Sequence, residues 1–200
     1  MSLRVSLLIF ATLAFSAIAF ANPQDDPYQI RYASNLDIGD SVINLSNSGA
    51  SGGSICANVY TFAPDEQMIS CCACPITPNG LASISVQADL ISNVLTPAVP
   101  TSVVVKLIAT TNLGSCSAAG MTGPAGAPTP GLVAWGTTLH AAPVTVPPTY
   151  QVTETSFTPY TPSTGELAAE GTDCFFIGRL GSGFGICKSC RLGGLGASKQ

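Results

Sequence analysis

Two hundred residues with 7 Lys and Arg against 11 Asp and Glu carry a net charge of -4, the wrong sign for gripping a phosphate backbone, so nucleic acid is set aside as a partner. At 46% hydrophobic and 9% charged, the chain can bury a core and is not a charge-driven disordered polymer. Eight Cys, 20 Gly, 15 Pro and a single His describe a loop-punctuated, disulfide-stapled extracytoplasmic β domain.

Met1 to Ala21 has the three parts of a signal peptide: a basic start at Arg4, an apolar middle from Leu7 to Phe15, and the small-residue site Ala19-Phe20-Ala21. The apolar run is shorter than the about 20 residues a spanning helix needs, and no later run is long enough either. The expected mature chain begins at Asn22, has no membrane span, and is secreted or periplasmic, where thiols default to disulfides.

Strand signals then follow in order. Tyr28 to Ala33 is a first short strand, and Asp40 to Asn47 alternates in polarity before a Gly/Ser/Asn turn to Ser54. Ile55 to Ala63 is β-branched and aromatic, Pro64-Asp65 reverses the chain, and Glu66 to Cys74 returns as the second half of a hairpin. Leu81 to Val86 is another strand, and Ser102 to Thr110, with three successive valines, suggests burial on both faces. Gly114 to Gly131 is rich in Gly, Pro, Ala and Ser, and its three Gly triplets are too few for a triple helix, so it reads as a long surface loop. Leu132 to Ala142 and Thr149 to Phe157, separated by a Pro147-Pro148 turn, complete seven or eight strands. Ser163 and Glu166 then form a capping box that opens a helix, which decays near Gly178 to Gly185.

The expected fold is mainly β: an antiparallel sandwich, Ig-like or jelly-roll-like, over residues 22–162. Residues 163–200 add one short helix and a Cys- and Gly-rich basic tail packed on the same domain. No acid follows Asp173, while Arg179, Lys188, Arg191 and Lys199 do. Such a basic tail can dock on its own acidic body or on the next molecule, or remain solvated.

The cysteines divide into five in the β-rich part (Cys56, Cys71, Cys72, Cys74, Cys116) and three beyond it (Cys174, Cys187, Cys190). Both counts are odd, so full intramolecular pairing requires at least one bridge between the groups. A Cys56 bridge to Cys72 or Cys74 across the hairpin, and a Cys174 bridge to Cys187 or Cys190, are the short-range options. The alternative use of Cys71, Cys72 and Cys74 with Cys187 and Cys190 is zinc or thiol-redox chemistry. Against it, strand alternation sends Cys71 to one face and Cys72 and Cys74 to the other, and no thioredoxin-like βαβ pattern surrounds Cys187-Lys188-Ser189-Cys190.

Other chemistry is sparse. Gly49-Ala50-Ser51-Gly52-Gly53 satisfies the G-x-S-x-G pattern, but its flanks are turn residues rather than a buried strand and a helix. His140 is the sole imidazole, so a hydrolase would need Ser51, His140 and Asp89 to converge. Asp37 and Asp40 could help hold calcium but lack a D-x-D-x-D-G loop. Glu166 and Glu170, four apart on the helix, read as a solvated face. Asn44-Leu45-Ser46 is a glycosylation sequon that has meaning only in a eukaryotic host. Tyr60 and Trp135 are aromatic candidates for contact with sugars or proteins, if they are not core.

The stretches Ile55-Cys56-Ala57-Asn58-Val59-Tyr60-Thr61-Phe62, Met68 to Pro75, Thr77 to Leu81 and Gly181 to Cys190 resemble a group of secreted, Cys-containing proteins of soil bacteria for which no activity is known. The resemblance implies a bacterial, exported small β domain and an idle sequon. Taken together, the expected protein is a non-catalytic extracellular domain without a cofactor. Its expected partners are other extracellular proteins, glycans or itself, with the zinc or redox protein and the His140 hydrolase as the alternatives.

Overall fold

β-Branched and aromatic runs bounded by Gly, Pro and Asn become strands, because their side chains fill a pleated, half-buried surface. The computed structural model describes residues 25–96, 98–142, 149–188 and 190–192; the expected signal peptide (1–21), the Pro147-Pro148 turn and Lys199 lie outside them. Its strands are β1 (Tyr28–Ala33), β2 (Val42–Asn47), β3 (Ile55–Phe62), β4 (Met68–Ile76), β5 (Leu81–Ser85), β6 (Val103–Thr111), β7 (Leu132–Ala141), β8 (Tyr150–Ser156), β9 (Thr158–Pro159) and β10 (Arg191–Leu192). The two-residue β9 and β10 were not expected, nor was the π-helical turn at Val86–Leu90. The helix α1 (Thr164–Arg179) starts where the capping box places it, with Glu166 N–H donating to the Ser163 hydroxyl at 3.1 Å.

The strands form an antiparallel β-sandwich. The first sheet has the order β4-β3-β6-β1-β9 and the second β10-β5-β2-β7-β8. Between the sheets lies the main core, which includes Ile43, Leu45, Ile55, Val59, Val105 and Leu107. The opposite face of the first sheet is also covered. There Tyr60, Cys71 and Ile108 pack with Ala118, Cys174 and Ile177 under the 112–131 loop and α1. The successive valines of β6 reflect this double cover only in part, since Val103 and Val105 are buried and Val104 is half-buried.

The loop expected at the surface lies there and also serves as a covering layer of the fold. Gly120 N–H donates to the Gly171 carbonyl of α1 at 3.0 Å. A Cβ on Gly171 would stand 2.4 Å from the Gly120 carbonyl oxygen, so only glycine lets the helix backbone approach the loop this closely.

All eight cysteines are paired: Cys56–Cys116, Cys71–Cys174, Cys72–Cys187 and Cys74–Cys190. Three of the four join β4 to the helix and tail. The short-range options fail for a geometric reason. Cys56 stands opposite Pro75, and therefore shares the outer face of the first sheet, whereas Cys72 and Cys74 stand opposite Val59 and Ala57 and point inward. Cys56 turns instead to Cys116 in the covering loop. Cys174 lies on the buried stripe of α1 facing Cys71, so it is not free to close on the tail.

The tail then runs along the edge of β4. Cys71 N–H donates to the Gly185 carbonyl at 2.9 Å, Cys187 N–H donates to the Cys71 carbonyl at 3.2 Å, and β10 adds to β5 of the other sheet. Covalent and backbone bonds hold it. Both ion pairs among the described residues belong to Lys106, and neither involves the tail.

These links differ in entropic weight. Cys56–Cys116 closes a separation of 60 residues that the other bridges do not shorten, whereas Cys74–Cys190, with Cys72–Cys187 intact, closes only the few residues between the paired sulfurs. In the chain-entropy model these correspond to about 4 and about 2 kcal/mol. Replacing each pair by alanines should therefore lower stability in urea more for Cys56/Cys116 than for Cys74/Cys190. The reverse ranking would show that native packing rather than loop closure sets the cost.

Candidate functional site

The densest group of ionisable side chains lies beneath α1. Lys106, on the outer face of β6, has its Nζ 2.5 Å from Glu166 Oε1 and 3.1 Å from Glu170 Oε1. The same ammonium sits 4.9 Å from the Phe62 ring centroid and 5.7 Å from that of Tyr160. Glu170 is only 3% exposed. The solvated helix face expected for Glu166 and Glu170 is thus overturned: both turn toward a lysine from a distant strand, which relieves the like-charge repulsion.

Burial alone would lower the Lys106 pKa, but its hydrogen bonds and charge contacts with Glu166 and Glu170 outweigh this and hold it above the ordinary value. The amine is therefore a fixed ammonium, not a nucleophile. Burial raises the Glu170 pKa, and Glu166 adds to the rise, against the pull of Lys106. Burial, reinforced by Glu170, also raises Tyr160 and Tyr60. An open groove of about 440 Å³, lined by Phe62, Ala63, Pro64, Glu66, Val104 and Lys106, adjoins the cluster. A lysine held as an ammonium between two glutamates anchors the helix to β6.

Arg31 is the second buried cation. It lies between the sheets at 7% exposure, with Nη2 donating to the Gly136 carbonyl at 3.0 Å and to Thr138 Oγ1 at 2.7 Å, Nη1 to Ser41 Oγ and Nε to Thr155 Oγ1. Burial lowers its pKa, yet a guanidinium stays charged in proteins. Gly136 leaves room for the guanidinium, since a Cβ there would meet Nη1 at 2.8 Å and the group would have to shift. Its four acceptors are all neutral groups, and they tie β1 to β7 and β8.

The structure disperses the hydrolase candidates. Ser51 lies beside Gly131 at the start of β7, in an open groove lined by Gly53, Ser54, Thr111, Asn112 and Gly114, without an acid or base. His140 is at the other end of β7, about 26 Å away at the rise of a strand. It is exposed, with Nε2 2.8 Å from Thr153 Oγ1. Asp89 is buried, accepting from Ser85 N–H at 2.8 Å.

The calcium candidates separate likewise. Asp37 is exposed, while both Asp40 oxygens accept hydrogen bonds, from Gln87 N–H and Ser85 Oγ. The sulfurs of Cys72, Cys74 and Cys190 lie within 4.8 Å of one another, close enough to bind a metal as thiolates. As disulfides they present none. Tyr60 is core, fully buried with its hydroxyl donating to the Ala118 carbonyl at 2.7 Å.

Trp135 is different. It is half-buried on the outer face of the second sheet, directly between Asn44 on β2 and Ser156 on β8, with Ser83 next in the row and donating to Asn44 Oδ1 at 2.6 Å. The chain matches no family model, no curated protein and no solved structure. The aromatic surface row was partly visible in the polarity alternation of Asp40 to Asn47, which puts Asn44 and Ser46 on one side. The Lys106 cluster had no local signal, because the lysine lies 60 and 64 residues from its two glutamates.

The raised Glu170 pKa has a consequence for stability. The unfolded chain loses this proton near pH 4.5, before the folded protein does, so this group's contribution to stability is greatest below that pH and falls as pH rises through the raised folded value. Glu170→Gln should remove that component of the pH slope, measured as the difference in urea midpoint from the wild type between about pH 4 and 8. Lys106→Met, which leaves Glu170 buried without its cation, should cost about 3 kcal/mol at pH 7. An unchanged slope in Glu170→Gln would count against the assignment.

Proposed function

We propose that the protein is an exported, non-catalytic binding domain that presents the outer face of its second sheet to glycans at the cell exterior. The observation that carries this reading is the row Ser156, Trp135, Asn44 across three strands: an indole flanked by a hydroxyl and an amide, the amide held in turn by the buried Ser83 hydroxyl. An aromatic face packs against the C–H face of a sugar ring, and amides and hydroxyls bond its hydroxyl groups.

Other features agree. Four disulfides fit an oxidising compartment, and no helix among the described residues is long and apolar enough to cross a membrane. Both basic side chains of the body, Arg31 and Lys106, are committed to internal contacts, which leaves little positive charge for nucleic acid. His140 is exposed on β7, its Nε2 at the Thr153 hydroxyl, with Ser51 at the far end of the strand.

Trp135 is the only tryptophan in the chain, so indole fluorescence reports on this face alone. Titration with soluble oligosaccharides of differing linkage should shift or quench its emission for at least one sugar class. Trp135→Ala should abolish retention of the folded protein on the matching insoluble polysaccharide. Unchanged emission across the panel, with no retention of the wild type, would refute the reading.

A further inference from the structure

Every open sheet has edges, and an edge strand carries unpaired backbone donors and acceptors that attract another strand. Here three of the four edges are closed or shortened. The tail bonds along β4 at Cys71, β10 adds to β5, and β9, which contains Pro159, meets β1 at Gln29 and Ile30. β8 is the exception. All seven of its residues are exposed, its register with β7 is unbroken from Tyr150 to Ser156, and among the described residues no strand pairs with its other side. It holds one charge, Glu154, with neither proline nor lysine to discourage pairing.

The hydrogen-bond phase of the ladder identifies which groups face outward. Phe157 N–H donates to the Ala134 carbonyl and Ala142 N–H to the Thr149 carbonyl. In an antiparallel ladder the bonded pairs recur at every second residue, so Gln151, Thr153 and Thr155 bond to β7. The N–H and C=O groups of Tyr150, Val152, Glu154 and Ser156 therefore point away from the sheet.

We propose that β8 pairs antiparallel with β8 of a second copy, about a two-fold axis at Thr153, and joins two second sheets into one. The set of outward groups is symmetric about Thr153, so all four residues find partners: Tyr150 with Ser156 and Val152 with Glu154, each twice. This register avoids a direct Glu154–Glu154 pair, which a shift centred on residue 154 would create. It also brings Val152, 61% exposed in the single chain, within diagonal reach of its own copy. A second copy is favoured over a foreign strand by the side chains this register pairs, Thr153 with Thr153 at the axis and the exposed Val152 beside its own copy. The contact is small for a protein interface, so the dimer is weak and concentration-dependent. The proposal names the protein itself as a partner within the exported, binding reading, and it places two Trp135 rows on one continuous face.

The pairing is testable on the mature chain. Sedimentation velocity over a range of concentrations should show a monomer–dimer equilibrium. Val152→Glu, which would face Glu154 of the other copy, should weaken it up to about tenfold, and Val152→Lys should tighten it by a similar factor. Val152→Pro removes an N–H that β7 does not use and should abolish dimerisation without unfolding the domain.

At the axis, Thr153 faces Thr153 as a non-hydrogen-bonded pair with Cα atoms about 4.5 Å apart, which a disulfide can span. Thr153→Cys should therefore form a covalent dimer on mild oxidation about tenfold faster than Glu154→Cys. A monomer at all concentrations, or equal effects of Val152→Glu and Val152→Lys, would overturn the proposal. If Thr153→Cys misfolds, the Val152 series on the otherwise unchanged chain decides it. Trp135 emission distinguishes the two claims, because sugar binding by a monomeric Val152→Pro variant refutes neither, and a dimer that binds no sugar refutes only the glycan reading.

Discussion

The alternation of a β-strand is the constraint on which this structure depends. Because successive residues of β4 point to opposite faces, Cys71 emerges on the outer side of the first sheet while Cys72 and Cys74 emerge between the sheets. One short run of sequence therefore fastens α1 over one face and the tail across the other. A shift of one residue in the β3–β4 register would exchange these roles and leave Cys174 facing the wrong side. The fold has few ways to satisfy all eight cysteines, and that restriction helps select it over other compact arrangements.

Much of this was legible in the chain. The order of strands, the hairpin turn at Pro64-Asp65, the Ser163 cap and the split of Cys71 from Cys72 and Cys74 follow from patterns a few residues long. The same parity carried across the hairpin would have excluded Cys56 from pairing with Cys72 or Cys74, since Cys56 shares its face with Cys71. What stayed hidden is non-local. Lys106 meets Glu166 and Glu170 only after α1 docks, and a helix with two glutamates four apart looks solvent-facing until a cation from another strand is supplied. Two-residue strands such as β9 and β10 carry no periodicity at all. They exist because a neighbouring edge needs partners.

The way the layers are tied follows from what they are made of. The 112–131 loop is mostly Gly, Ala, Ser, Thr and Pro, so it brings little apolar area to the face it covers. Directed links make up the difference. Cys56–Cys116 and the Tyr60 hydroxyl hold the loop, and Cys71–Cys174 with Lys106 holds the helix. Between the sheets the solution is divided by side. Two disulfides close the margin at β4 and β5, and the Arg31 fork crosses the opposite margin from β1 to β7 and β8. The two basic residues of the body thus act as internal fasteners, which is why so weakly charged a chain buries them.

That division has a further effect on where the molecule can move. The β4 margin is fixed covalently and by backbone bonds to the tail, so local opening there must break several links together. The β7–β8 hairpin has no disulfide. Besides Arg31 it is held by its own ladder and by the pairing of β2 with β7 as far as Gly136, and its far half, residues 139–141 and 150–152, is at best half-buried. Segments with exposed backbone bonds and few buried contacts open at the least cost, and binding surfaces are drawn from them. A rigid, stapled margin opposite an unstapled one concentrates local opening at β8 while the disulfide frame stays fixed.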